Sequence, residues 1–290
     1  MNDIFELPPG YGADIICTPA AFRLRGQADA KVDLSLFVSL YNEEEFIVET
    51  LERTCVALHE LGDVSFELIV VDDCSTDRSV ALVKEFIVRH PDEALILRCN
   101  QKNRGLSQNY IDHAFFGIGT YYRLVCGDTS ESVEMMKRIY SAIGSADMVI
   151  PYYPESVAGK SLVRRIISNT YVTVINTATW QNIHYYNGLP VHRRFHVMRW
   201  HPTSRGLGFQ ADILCMLLEQ GYTYKEVPVL VTERKLVNST ALSWSNLLSV
   251  THTILNIFIR RLARRVHEGN AKRLPHEIAK PPRETGRAAG

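Results

Sequence analysis

Two adjacent carboxylates, Asp72 and Asp73, follow the run Leu68-Ile69-Val70-Val71 in a chain of 290 residues. Ionised carboxylates are strong hydrogen-bond acceptors, so a pair of them at the end of a strand points to a ligand site. A short β-branched run reads as a strand buried on both faces of a parallel sheet, and ligands of such sheets bind where strands emerge at their carboxyl ends. The competing reading is a loop whose acids cap the next helix, with Ser75, Thr76 and Asp77 adding further oxygens. Another acid, Asp128, follows Cys126-Gly127 after a second apolar run. His192 and His196 stand four residues apart with His201 nearby, a spacing that invites a metal. The HRRFH segment lacks an accompanying acid, however, and isolated histidines usually pack or hydrogen-bond.

The elements that would position these groups alternate. Strands are expected at residues 33–40, 68–71, 94–99 and 121–126, with a helix after each of the first three. Phe46, Ile47, Leu51, Cys55, Leu58 and Leu61 recur at helical spacing before Gly62, with Asn42 as the expected N-cap. Val80, Val83, Phe86 and Ile87 do the same before Pro91. This rhythm predicts an α/β fold with a parallel, doubly wound sheet. Right-handed crossovers would gather Tyr41-Asn42-Glu43, Asp72-Asp73, Asn103-Arg104-Gly105 and Gly127-Asp128 on one edge. Further on, the pattern reads as a strand at 147–153, a loop at 154–160, a helix at 162–177 and a turn-like stretch at 185–194. A helix at 208–220 and a strand at 226–232 follow. An amphipathic helix at 243–262 either packs on its own domain or lies in a membrane interface with the arginines from Arg260 onward as headgroup contacts. The organisation is then an irregular leader over 1–30, a domain over 31–242, the amphipathic helix over 243–266 and a basic tail over 267–290.

Composition narrows the class. Lys plus Arg and Asp plus Glu balance at 32 each, so no global field draws the chain to nucleic acid. The six cysteines show no CxxC pair or disulfide-like spacing, which fits a reducing compartment. The opening residues do not read as a signal peptide, and no stretch reaches the length of a spanning helix. A cytoplasmic location is expected, with the basic tail leaving open a peripheral position on the inner face of a membrane.

Taken in order, SLYNEEE (39–45), VVDDCSTD (70–77), NRGLS (103–107), CGDTS (126–130), RRIIS (164–168), NGLPVHRR (187–194), GFQADILCMLLEQGYTYKEVPV (208–229) and ERKLVNSTALSWSN (233–246) resemble the family 2 glycosyltransferases. The nearest branch is that of the dolichyl-phosphate mannose synthases and bacterial polyprenyl-phosphate glycosyltransferases. The resemblance implies a GT-A fold, a mostly parallel sheet flanked by helices, and an inverting transfer of a sugar from a nucleoside-diphosphate sugar. The favoured acceptor is polyprenyl phosphate; a soluble saccharide or metabolite, or a nucleotide-sugar-binding regulator without catalysis, are the rivals. It implies that Tyr41 and Glu43 line the nucleoside pocket, that Asp72 and Asp73 hold the base and its sugar, and that Gly105 lets backbone approach the nucleotide. Arg164, with Ser168 on the same helical face, and Arg234 would meet the phosphates. Asn187, Gly188, Arg194 and Ser239 would face the acceptor. Asp212 would serve as a base for a hydroxyl acceptor or simply as a capping residue, and a phosphate acceptor would need no base. Where the family commonly carries Asp-x-Asp for a divalent cation, this chain has Cys126-Gly127-Asp128, so Asp128 alone would hold Mg²⁺ or Mn²⁺. A family Gly-x-Ser-Lys pattern is likewise altered to Val237-Asn238-Ser239-Thr240.

Overall fold

The computed structural model describes residues 5–6, 13–154, 162–201, 208–229 and 251–263. Strands β1 (Phe5–Glu6) and β2 (Ala13–Cys17) precede helix α1 (Pro19–Gly26). Then come β3 (Leu34–Leu40), α2 (Ile47–Leu61), β4 (Phe66–Asp72), α3 (Ser79–Arg89), β5 (Leu95–Asn100), α4 (Leu106–Phe116) and β6 (Tyr121–Cys126). The second half contains α5 (Val133–Tyr140), β7 (Met148–Tyr152), α6 (Leu162–Thr179), β8 (Val191–Arg193), α7 (Arg194–Met198), α8 (Phe209–Glu219) and β9 (Tyr224–Pro228). A last helix, α9, occupies residues 251–263.

The strands form one sheet in the order β1-β2-β5-β4-β3-β6-β8-β7-β9. From β5 to β6 all neighbours are parallel, as expected of apolar strands joined by helices. Two strands run against this grain. β2 pairs antiparallel along β5, and β8 lies antiparallel between β6 and β7. The stretch at 185–194 is therefore not only a turn: Val191 to Arg193 is a short central strand. The expected strand at 226–232 begins earlier, at Tyr224.

Residues 13–26 correct the expectation of an irregular leader. They extend the sheet and fold a helix whose N-cap, Thr18, accepts from the Ala21 N–H. Arg25 of α1 reaches the fully buried Glu67 at 2.7 Å, and Glu67 also accepts from Ser35 Oγ and the Ile118 N–H. The buried carboxylate thus satisfies its hydrogen bonds while tying α1 to the sheet.

The sheet carries a core on each face. On one, Leu36, Val38, Val70 and Leu97 pack against Leu51, Leu58, Phe86 and Ile139 of α2, α3 and α5. On the other, Phe37, Ile69 and Leu124 meet Tyr110, Ile175, Leu214 and Ile257 of α4, α6, α8 and α9. Each such side chain contributes about 1.5–3 kcal/mol relative to exposure.

Candidate active site

Strand register aligns the tips. Leu40 pairs with Asp72, Asp72 with Cys99, and Ser39 with Cys126. Neighbouring strands are spaced by about 4.8 Å, so Asp72 and the end of β6 stand two strand spacings apart, roughly 10 Å. Asp72, Asp73, Gly105 and Asp128 therefore share one edge of the sheet with Tyr41 and Glu43.

The two aspartates do different work. Asp72 Oδ1 accepts from the Ser75 N–H at 3.0 Å, while its Oδ2 meets no hydrogen-bond donor among the described residues. Asp73 is fully engaged: Oδ1 accepts from Asn100 Nδ2 at 2.9 Å and from the Arg104 N–H at 2.8 Å, and Oδ2 from the Gly105 N–H at 2.9 Å. Asn103 Nδ2 adds a bond to the Asp73 carbonyl. Asp73 is thus the post that holds the Asn103-Arg104-Gly105 loop against the β4 tip. Gly105 takes φ +78°, a left-handed value that glycine adopts without strain.

The loops after β3 and β4 are cross-latched. Ser75 Oγ accepts from the Asn42 N–H, and Asn42 Oδ1 accepts from the Thr76 N–H. Asp77 Oδ2 accepts from the Glu44 N–H, and Glu44 Oε2 from the Arg78 N–H. Asn42 accordingly is not the N-cap of α2, which starts at Ile47; it sits at φ +54° and spends its side chain across the gap. Tyr41 is left 53% exposed on the rim. Glu43 is half-buried and lies beside Gly127, where an added Cβ would come within 2.8 Å of the Ser39 carbonyl and 3.5 Å of Glu43 Cγ. Glycine there lets the β6 loop pass close to the tip of β3. Thr50 of α2 pins that loop by donating to the Gly127 carbonyl and accepting from the Thr129 N–H. Asp128 Oδ1 accepts from the Ser130 N–H at 3.2 Å.

Residues 35–114, which build β3 to α4 and hold both aspartates, match the model of glycosyl transferase family 2. Over this segment the chain is similar to the family 2 glycosyltransferases. A polyprenol monophosphomannose synthase of Mycolicibacterium smegmatis is 27% identical over 215 residues, covering 69% of this chain and 78% of that protein. An undecaprenyl-phosphate 4-deoxy-4-formamido-L-arabinose transferase of Pectobacterium carotovorum is 36% identical over 73 residues, 25% of this chain and 22% of that protein. Among solved structures, glucosyl-3-phosphoglycerate synthase from Mycobacterium tuberculosis, in complex with Mn²⁺, UDP-glucose and phosphoglyceric acid, superposes with a TM-score of 0.59 at 16% identity, covering 87% of this chain and 86% of that one. A mannosyltransferase from Pyrobaculum calidifontis, in complex with GDP-mannose and Mn²⁺, gives 0.55 at 17%, covering 88% and 82%. These likenesses establish the GT-A fold, and the protein is a glycosyltransferase.

Elsewhere in the glycosyltransferase the expected residues divide. Gly188 reaches the same edge: a Cβ on it would overlap the Pro151 carbonyl near the end of β7, and the adjacent Asn187 buries an Oδ1 that has no hydrogen-bond partner among the described residues. Arg194 does not belong there. Its Nε donates to the Gly119 carbonyl at 2.6 Å and its Nη1 to the Ala114 carbonyl, so it sits where β6 begins, at the opposite end of the sheet. Arg164 and Ser168 lie on α6; Ser168 is half-buried, and no hydrogen bond among the described residues joins it to the strand-tip group. Arg234 and Ser239 lie outside the described residues, as do Val237, Asn238 and Thr240.

Asp212 is committed to structure. It is 2% exposed on α8, with Oδ2 accepting from Trp200 Nε1 at 2.9 Å and Oδ1 paired with Arg260 of α9 at 2.7 Å. Arg260 also reaches Glu219 at 3.2 Å. This clasp fastens α9 onto α8 and takes Arg260 away from any headgroup. His192 is buried on β8 and His196 on α7, and burial presses both rings toward the neutral form. Among the described residues no three His, Cys, Asp or Glu side chains gather as a metal site, so the His192–His196 spacing reflects packing.

One constellation escaped the sequence reading. Arg123 in mid-β6 is fully buried and forks onto Glu131, with Nη1 at 2.7 Å from Oε2 and Nη2 at 2.5 Å from Oε1. Removing one partner of such a pair costs about 3–5 kcal/mol. An arginine inside a strand flanked by Tyr122 and Leu124 was the available signal, because a charge at a core position demands a partner.

Proposed function

We propose that the protein transfers a sugar from a nucleoside-diphosphate sugar to a polyprenyl phosphate at the strand-tip edge. Asp72 accepts from the nucleoside, the exposed Tyr41 offers a ring beside the base, and Glu43 lines the same pocket. Asp73 acts one step removed, holding the Gly105 loop whose backbone faces the nucleotide. The residues present fit a minimal cation site: Asp128 would bind the ion, and the donor's phosphate oxygens would complete its shell, as Mg²⁺ and Mn²⁺ sites of this kind allow. Such an ion, when bound, neutralises charge building on the departing nucleoside diphosphate. Arg164 and Arg234 are proposed to meet the same phosphates, with Ser168 beside Arg164. Asn187 and Gly188 would face the acceptor, with Ser239 on the same side.

The observation that carries the acceptor choice is the clasp on Asp212. With both its oxygens held by Trp200 and Arg260, that carboxylate is not offered as a base. A phosphate oxygen is already anionic near neutral pH and attacks the anomeric carbon without one, as the bond to the donor phosphate breaks on the opposite side. The relatives named for polyprenol and undecaprenyl-phosphate transfer support the same choice. So does α9, which packs Thr253 and Ile257 inward and turns Leu255, Phe258, Ile259 and Leu262 outward at helical spacing. The unit over residues 31–242, with α9 appended, would then work at a membrane surface. No helix among the described residues is long and apolar enough to cross one.

The test is a thermal-shift panel of UDP-, GDP- and dTDP-sugars with and without Mn²⁺. A donor at 100 times its Kd adds about 2.7 kcal/mol of stability. One nucleotide class should raise the melting temperature, more so with Mn²⁺, and the protein should then float with vesicles carrying polyprenyl phosphate. No shift with any donor would reject the reading; a shift without flotation would leave a soluble acceptor.

A further inference from the structure

We propose that Arg123 is a positioning residue that sets the separation between the two loops flanking the site, the Asp128 loop and the Asn187-Gly188 loop. Glu131, onto which Arg123 forks, lies three residues beyond Asp128 on the same loop. The Leu189 carbonyl, which accepts from Arg123 Nε at 3.0 Å, directly follows Gly188. Nη1 also approaches Tyr140 Oη of α5 at 3.3 Å. One planar guanidinium, its donors fixed at set angles, therefore grips both loops from beneath, and displacement of one is felt by the other. Side-chain exposure of the pair is 0% and 3%, so water does not loosen the linkage.

Stability alone does not account for this arrangement. Well-packed apolar residues of similar volume often hold a fold as well as a buried ion pair does, whereas only a directional network fixes the relative placement of two segments. The inference rests on the proposed function in one respect: it takes the Asp128 loop as the donor side and Asn187-Gly188 as the acceptor side. The distance between them is what an in-line attack on the anomeric carbon requires to be right.

The experiment compares the full chain with Arg123→Met/Glu131→Leu, which replaces the pair by apolar volume, and with Glu131→Gln, which preserves shape should the double variant fail to fold. Amide hydrogen exchange should rise at both 127–131 and 187–190 while the β3 and β4 amides stay protected. The turnover number should fall roughly 10- to 100-fold, with donor KM nearly unchanged, as for a misplaced rather than a missing group. Arg123→Lys, which keeps a charge opposite Glu131 but loses the fork, should recover protection at 127–131 and not at 187–190. Unchanged exchange in either loop, or an undiminished turnover number, would overturn the proposal. Should the wild-type chain transfer no sugar from any donor, the proposed function fails, and the exchange measurements still decide the role of Arg123.

Discussion

Asp72 and Asp73 look interchangeable in the sequence and are not interchangeable in the fold. Asp73 satisfies two backbone N–H groups and an amide with its two oxygens, and an asparagine there would aim an NH₂ group at another donor. Asp73→Asn should therefore cost about 1–3 kcal/mol in urea unfolding. Asp72→Asn retains a carbonyl oxygen for the Ser75 N–H, so its stability should stay within about 1 kcal/mol of the parent. The donor-induced thermal shift should nevertheless disappear in that variant. If Asp73→Asn unfolds like the parent, the loop-holding role is wrong. The pair's place at a strand tip was legible from the β-branched run before it. Which acid keeps a free oxygen was not, because that depends on residues 103–105 folding back from beyond the next strand and helix.

At the level of elements, the parallel unit from β3 to β6 was readable because each strand is apolar on both faces and each helix keeps a 3.6-residue apolar rhythm. β8 was not, since three residues carry no period and its placement comes from β6 and β7 on either side. The ends of the helices misled in another way: Asn42 and Ser75 are good capping types, yet their bonds run between loops rather than within one. The apolar pattern of α9 was clear, but its docking was invisible until Arg260 met Asp212. Two measurements probe that clasp. Arg260→Met should lower stability by about 1.5–3 kcal/mol, as expected for a hydrogen-bonded charge lost from a partly exposed pair. Asp212→Asn should leave the turnover number within about threefold, whereas loss of a general base would cost about 10²–10⁴.

For the molecule as a whole, buried histidines give stability a pH dependence with a defined sign. Burial in the core lowers the folded-state pKa of His113 and of His192 from 6.5 to about 3. Between those limits the unfolded chain binds protons that the folded chain refuses, so stability falls as pH drops from 6.5 toward 3. Above 6.5 both states are neutral at these rings and the effect vanishes. Unfolding free energies measured across that window should show a shallower acid slope for His192→Leu than for the parent; identical slopes would refute burial as the cause. The sequence offered His192 as a candidate ligand; its place on β8 between β6 and β7, which buries it fully, could not be read there.

The reciprocal bonds between residues 42–44 and 75–78 have a kinetic corollary. Two neighbouring strand ends that already hold each other in place present a nucleoside with a finished socket, and little ordering remains to be done when it arrives. Encounter on that side should resemble a key entering a lock.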